Sequence, residues 1–233
     1  INFSGTLNVS NPGVIDTKLK VMARLDLKDI GHILKLPETR MSVLKPSGIL
    51  DIRGDLSGDI RNFKTCLMDA RILSNVFSFY GLKGQGLNLD YSQREGLAEL
   101  KNCRFGFYGG SVKAGMRLNL ITASLPFAAD IIIDGVKLES MGIDLKGAGN
   151  LAGTVKLDAQ LNGSLKDLSA LSGMGDIFVS NGRIWELNLF KGLGALLFKK
   201  DYFSKIVFKE GTTGFVIANK TVSCENVRLK SEI

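Results

Sequence analysis

The sequence has few of the residues from which catalytic and metal sites are built. Its only histidine is His32, and no HExxH, GxSxG or Walker motif occurs in the 233 residues. Ser-His-Asp and Cys-His sites need a histidine that can be placed beside a nucleophile, and no such motif surrounds His32. The glycines between Gly147 and Gly153 have the wrong spacing for a phosphate-binding loop. We therefore predict no enzymatic activity, no catalytic residue, no cofactor and no metal site.

Cysteine is also scarce. Cys66, Cys103 and Cys224 are odd in number, lie far apart and form no CxxC pair. This pattern favours neither a zinc site nor a disulfide framework. We expect three buried, unreactive thiols.

A long apolar run is missing as well. The most lipid-like segment runs from Leu187 to Phe198 and contains Lys191. Because a helix needs about 20 apolar residues to cross a bilayer, no spanning helix is expected in this sequence. The sequence begins at Ile1 without a methionine or a signal peptide and stops at Ile233 in a strand-like segment. We expect a fragment whose membrane anchor lies in segments outside it.

The sequence has no concentrated block of one charge. It contains 30 Lys and Arg against 23 Asp and Glu, which gives a net charge of +7. The basic residues are scattered and mostly alternate with apolar ones, which indicates a solvated sheet face. We therefore predict no nucleic-acid partner. The moderate basic excess suits anionic surfaces such as lipid headgroups.

The sequence is rich in apolar and polar residues that alternate. Alternation at period two places successive side chains on opposite faces of a strand. Segment 19–27 shows this pattern, and three later segments supply the candidate lining of an apolar groove. These candidates are Val112, Ala114, Met116, Leu118, Leu120, Leu125, Phe127, Ala129, Ile131, Ile133, Leu151, Val155, Leu157 and Leu161. In the middle segment Ile132 lies on the other face, so we expect that strand to be partly covered on both sides.

Glycine is the second abundant feature, with 27 residues. It recurs in a Gly-x-apolar unit, as at Gly153-Thr-Val155, and glycine can open or bend strands. The predicted fold is all-β and mainly antiparallel, a long curved meander sheet that forms an apolar groove, with one or two short helices. Apolar spacing predicts one helix near 187–198 and a helical turn over 27–36 that ends at Pro37. A slip in alternation predicts a turn or bulge at Glu225 and Asn226.

The second half of the sequence contains a series of motifs in a characteristic order. They are Phe107-Tyr-Gly-Gly-Ser-Val112, Asp134-Gly-Val-Lys-Leu138, Leu151-Ala-Gly153, Leu161-Asn-Gly163 and the stretch from Ser172 to Ile184. From about Lys101 onward this order resembles the C-terminal region of the AsmA-like family of envelope proteins, relatives of the repeating β-groove lipid-transfer proteins. Asn181 stands where that family frequently has an acidic residue.

The resemblance implies a division into a preceding β-groove segment, 1–100, and an AsmA-like C-terminal region, 101–233. It also implies a periplasmic or cell-envelope protein that is anchored in the inner membrane by a segment outside this sequence. Its partners would be phospholipid or another acyl lipid, together with unidentified envelope proteins. The implied function is to hold acyl chains in the groove for intermembrane phospholipid movement and outer-membrane biogenesis.

Two structures and two functions remain open at this stage. Alternation is equally compatible with a groove and with a closed β core such as a sandwich. The alternative function is a structural or assembly module that affects outer-membrane protein organisation through its sheet edges and helix.

Overall fold

The computed structural model describes residues 2–11, 14–29, 38–144, 151–185 and 205–231. Within them, twelve antiparallel strands form one sheet, and each strand pairs with the strands that precede and follow it in the sequence. The sheet is an open meander with β1 and β12 as its edges, so the predicted all-β meander fold is confirmed. The strands are β1 (Asn2–Asn11), β2 (Val14–Asp26), β3 (Ser47–Asp59), β4 (Leu67–Phe79), β5 (Leu82–Arg94), β6 (Leu97–Phe107), β7 (Gly110–Asn119), β8 (Pro126–Lys137), β9 (Leu151–Ser164), β10 (Ser172–Trp185), β11 (Lys205–Ala218) and β12 (Thr221–Lys230).

Several hairpins are closed by two-residue turns. In the β4–β5 turn Tyr80 has φ 55° and Gly81 has φ 83°, and in the β6–β7 turn Tyr108 has φ 43° and Gly109 has φ 80°. Two consecutive residues with positive φ form a type I′ turn, whose twist matches that of the flanking strands. The motif beginning at Phe107 is therefore the tip of a hairpin.

Bulges bend the strands of the second half. From β6 onward every second strand carries a left-handed residue at a register shift: Asn102 in β6, Gly135 in β8, Asn181 in β10 and Asn226 in β12. Glycine and asparagine tolerate this conformation best, and a bulge both bends its strand and increases the local twist. The bulge predicted at Asn226 is confirmed. Sequence reasoning missed the other three.

The helices are short and lie at one end of the sheet. Helix α1 (Glu38–Leu44) meets the β4–β5 turn, where the Tyr80 N–H donates to the Leu44 carbonyl at 2.6 Å. Helix α2 (Leu138–Asp144) meets the β6–β7 turn, where the Tyr108 O–H donates to Asp144 Oδ2 at 2.7 Å. Each helix thus contacts a hairpin turn whose strands are not its immediate neighbours in the sequence.

The predicted helices match these elements poorly. A 3-10 helix at Leu27–Asp29 begins the predicted turn, but residues 30–37 lie outside the described ranges. Helix α1 begins just after Pro37, a position where the sequence analysis placed an end, and α2 was not predicted. The helix predicted near 187–198 also lies outside the described residues.

The described sheet is a single layer. The accessible surface of the chain is 15364 Å², whereas a compact monomer of this mass exposes about 10,300 Å². A second sheet is absent from the described ranges, so the closed sandwich is not the fold. The boundary predicted between residues 100 and 101 falls inside β6, where Leu100 and Lys101 both pair with β5, and the division itself remains a prediction.

Candidate functional site

One face of the sheet is apolar along nearly its whole width. In an antiparallel sheet, directly paired residues project from the same face, so the strand register shows which side chains are neighbours. One row of paired positions crosses eleven strands, from β2 to β12, over about 48 Å at the usual strand spacing. The row is Val21, Gly54, Ala70, Tyr91, Leu100, Met116, Ala129, Leu161, Gly173, Ile217 and Val222. We call this side of the sheet the apolar face.

The next row of positions projects from the opposite side, the polar face. Its members across nine strands, β2 to β10, are mostly charged or hydrophilic. They are Lys20, Asp55, Asp69, Ser92, Glu99, Arg117, Ala128, Asn162 and Ser172. The two rows show that the apolar residues of the alternating pattern lie on one side of the sheet and the polar residues on the other.

Most of the predicted groove residues belong to the apolar face. Three neighbouring strands bring them together in register: Met116 with Ala129 and Leu161, and Val112 with Ile133 and Leu157. Their lipid-binding role remains a prediction. The members in β7, β8 and β9 are Val112, Ala114, Met116, Leu118, Phe127, Ala129, Ile131, Ile133, Val155, Leu157 and Leu161, and the backbone of Leu151 pairs with Ile184.

Leu120 and Leu125 were predicted to lie in strands, and this prediction is wrong. Both lie in the β7–β8 connection. The Leu120 N–H donates to the Gly96 carbonyl at 2.7 Å, and Leu125 has a φ of 54°. Alternation continued past the end of β7 by chance, and Pro126 starts the next strand. Ile132 is also a correction. It is 46% exposed on the polar face, so β8 is not covered on both sides.

The apolar face extends far beyond the predicted set. The alternation of 19–27 was predicted as a strand but not as part of the groove, and β10, β11 and β12 were not predicted to belong to the groove. Bulges such as the one at Asn181 explain the second omission, because one extra residue reverses the alternation within a strand. Read across the bulge, Val179 and Gly182 lie on the same face as Ile177.

Exposed ion pairs join neighbouring strands on the polar face. Arg71 Nε lies 3.3 Å from Asp90 Oδ1, Lys156 Nζ lies 3.1 Å from Asp134, and Arg94 pairs with Asp69. Hydrogen bonds from Asn102 and Arg71 hold the pKa of Asp90 below its usual range. These pairs favour the observed register while remaining in water, so they mark the polar face as the solvated side.

A cleft of about 750 Å³ also lies on the polar face. Its lining mixes both signs of charge, with Lys113, Lys156 and Arg228 facing Asp134 and Asp176. Ile133, Leu157 and Ile177 also contribute to this lining, but an acyl chain bound here would desolvate the charged groups, which is costly. The cleft is therefore not the apolar site.

The apolar face is covered in β2–β6 by the protein's own side chains, and we call this the closed part. At one end of the strands, Leu27 is only 2% exposed and packs with Leu50 and Phe77. The rings of Phe77 in β4 and Phe105 in β6 meet edge to face, 5.1 Å apart, above Gly84 of the strand between them. A side chain at that glycine would occupy the space of the Phe77 ring.

A second cluster covers the other end of the closed part. A 3-10 helix at Ile60–Thr65 follows β3, and Cys66, the residue after it, packs with Val21 and Leu56. Gln93 in β5 is fully buried, and its Nε2 donates to the Phe63 carbonyl at 2.7 Å and to the Cys66 carbonyl at 3.1 Å. The amide thereby fastens this segment onto the sheet.

The apolar face of β7–β12 carries no comparable cover among the described residues, and we call it the open part. Most of its side chains in β7–β10, such as Ala114 and Leu157, are half-buried, and Val222 in the edge strand is 62% exposed. Val112, Val136 and Ala159 are more deeply buried, and in β11 the buried rings of Phe208 and Phe215 lie over the opposing glycines Gly182 and Gly175.

Polar side chains that reach the apolar face are hydrogen-bonded within the chain. The Tyr91 O–H donates to Gln93 Oε1 at 2.5 Å, and burial raises the pKa of Tyr91 to about 12. The hydroxyls of Thr17, Ser74 and Thr213 donate to backbone carbonyls. Across the described residues, every buried side-chain nitrogen or oxygen has a partner.

The described residues contain no group of three or more His, Cys, Asp or Glu side chains arranged to hold a metal ion. The three cysteines are free thiols. Cys66 is buried, and burial raises the pKa of half-buried Cys103. Cys224 is exposed on the edge strand, which corrects the expectation of three buried thiols. His32 lies outside the described ranges.

Comparison with known proteins gives no family. No family model matches the chain, and neither curated proteins nor solved structures yield a similar one. The resemblance to the AsmA-like family therefore remains a prediction. In the described ranges no helix has the length and apolar character needed to cross a membrane.

Proposed function

We propose that the apolar face binds the acyl chains of lipids and shields them from water. One observation carries the proposal: a row of apolar positions crosses eleven neighbouring strands, and the described residues form no second layer over its open part. A large exposed apolar surface is a common mark of an interaction site in a soluble domain. Burial of an acyl chain there would contribute about 0.8 kcal/mol for each CH₂ group.

The chemistry of the face favours an alkyl chain over a peptide or a sugar. Peptides and sugars carry hydrogen-bonding groups that need partners when they leave water. On this face the hydroxyls and the amide are already bonded within the chain, as with Gln93 and Thr213. A saturated hydrocarbon needs no such partner.

The wider setting of this proposal is the bacterial cell envelope. We propose that the chain is the lipid-holding segment of a periplasmic, inner-membrane-anchored protein that takes part in phospholipid movement and outer-membrane biogenesis. The sequence resemblance supports this setting, and the open apolar face is compatible with it. The chain carries no catalytic role in this proposal.

A second candidate is a structural or assembly module that works through its sheet edge. All ten residues of β12 are exposed, and an unpaired edge strand offers backbone groups to another strand. The two candidates differ in one measurable property, the presence of bound lipid.

The first experiment is mass spectrometry of lipids extracted from detergent-free, purified protein, with a similarly prepared unrelated β protein as reference. We expect enrichment of phospholipid. Leu118→Asp and Leu157→Asp place a charge on the open part and should reduce bound lipid by at least about tenfold, since each charge would meet the acyl chain. Met174→Asp is the matched control, because Met174 is 60% exposed on the polar face.

Bound lipid equal to that of the reference protein, in a folded sample, would reject acyl binding and leave the edge-strand module. Folding is checked by far-ultraviolet circular dichroism for each variant. Lipid that survives both aspartate substitutions in folded protein would also reject the apolar face as its site.

A further inference from the structure

The closed part fills the apolar face from both ends of its strands. Leu27 and the Phe77–Phe105 pair occupy the end near the helices, and Cys66 with Gln93 occupies the other. Leu27, Phe77, Cys66 and Gln93 are buried, as are Val21 and Ala70 in the row of apolar positions, and buried side chains leave little room for an alkyl chain at these positions. The row of apolar positions is continuous through β2–β12, but access to it is not.

The transition lies at β6 and β7. Phe105 belongs to the cluster around Phe77, and its direct partner across the strand boundary is Val112 in β7. Beyond Val112, which is 6% exposed, the side chains of Ala114 and Met116 are half-buried. Phe105 thus stands where the covered surface ends.

From these observations we infer that the lipid site is a blind groove: acyl chains lie on β7–β12 and stop at a wall formed by Phe77 and Phe105. The inference rests on the proposed function. The open part spans six strands, about 24 Å, and an extended palmitoyl chain fits within that length. Lipid would enter and leave through the open part, and this sheet would hold lipid rather than pass it through to β1.

The inference is tested with palmitic acid that carries a photoactivatable diazirine near the end of its chain. The intact protein is irradiated with and without excess unlabelled palmitate, and modified residues are located by peptide mass spectrometry. Competed label should appear on β7–β10, for example at half-buried Met116 and Leu157, and be at least about tenfold weaker at buried Val21 and Leu50. Equal labelling of the two groups would overturn the blind groove while leaving acyl binding intact.

A variant tests the wall itself. Phe105→Ala should extend the label to Leu87, which packs against the same cluster. Phe105→Leu serves the same purpose if the alanine variant does not fold. Phe178→Ala is the matched control, because Phe178 projects from the polar face of β10.

Each result has one meaning. Label at Leu87 in the Phe105 variant but not in the control supports the wall, and an unchanged pattern in a folded Phe105 variant overturns it. No competed label at any residue of the wild-type protein would reject the proposed function, and the blind groove with it.

Discussion

In β2–β6 the apolar face is packed beneath two 3-10 segments and a cluster of phenyl rings, whereas in β7–β12 no comparable segment of the described residues covers the same face. Both parts are built from the same antiparallel meander with the same alternation of side chains. The difference lies in the connections, since Leu27 and Cys66 belong to segments between strands. A single-layer sheet can thus have its own core in one region and keep a binding surface in another.

The largest expected effect is a contrast between two leucines. Leu56→Ala removes a 4%-exposed side chain from the closed part and should cost about 3 kcal/mol of unfolding free energy, whereas Leu157→Ala in the open part should cost about 1 kcal/mol. The reason is that truncation leaves a cavity only where neighbours enclose the side chain. Urea denaturation followed by circular dichroism measures both. Equal losses would remove the distinction between the two parts.

A second contrast uses two glycines. An added methyl group at Gly84 would lie 2.3 Å from the Phe77 ring, which is itself packed against Phe105. Gly84→Ala should therefore lower the unfolding free energy by about 1–3 kcal/mol through overpacking. Gly115→Ala is the control, because its methyl group would meet only the Leu100 carbonyl oxygen at 3.8 Å. Similar stability of the two variants would show that the ring can move freely and that the cluster is loosely packed.

The smallest effect concerns the attachment of α2 to the sheet. Asp144 accepts hydrogen bonds from Lys83 Nζ at 2.9 Å and from the Tyr108 hydroxyl at 2.7 Å, and these bonds lower its pKa. A lowered pKa in the folded state means that the attachment is complete above the ordinary carboxyl pKa and is lost as pH falls through the lowered one.

Asp144→Asn should therefore speed amide exchange in α2 at neutral pH, because the asparagine lacks the charge that binds Lys83. Hydrogen–deuterium exchange of residues 138–144 measures this, with Asp130→Asn on the polar face as control. The difference from wild type should shrink in acid, below the lowered pKa of Asp144. A difference that persists unchanged in acid would mean that the carboxylate does not hold the helix.

Alternation was sufficient to predict the class of fold and to place most of the groove candidates on one face of the sheet. Residues 112–118 and 155–161 alternate without interruption, so the face of each candidate could be assigned from the sequence. In β8 the predicted set of groove residues ended at Ile133. The bulge at Gly135 adds one residue to the strand, so that Val136 lies on the same face as Ile133. Propensity alone does not show where a left-handed residue will form a bulge.

Coverage of the apolar face could not be predicted. Leu27 and Leu120 both extend a run of alternating apolar residues beyond the end of a strand, yet Leu27 packs onto the sheet and the Leu120 N–H bonds to a neighbouring turn. That outcome depends on contacts with residues distant in sequence, such as Phe77. Helix α2, at seven residues, is likewise too short to show a helical period.

The strict chain order of the sheet has a consequence for how such a protein can grow. Because each strand bonds only to its sequence neighbours, duplication of one hairpin adds two strands without separating any remaining pair except at the insertion point. Each duplication would lengthen the sheet by about 10 Å. The local pairing also allows the strands to join the sheet in the order of their synthesis, since no strand waits for a distant partner. Length is therefore a property that evolution can change in this architecture by simple tandem duplication.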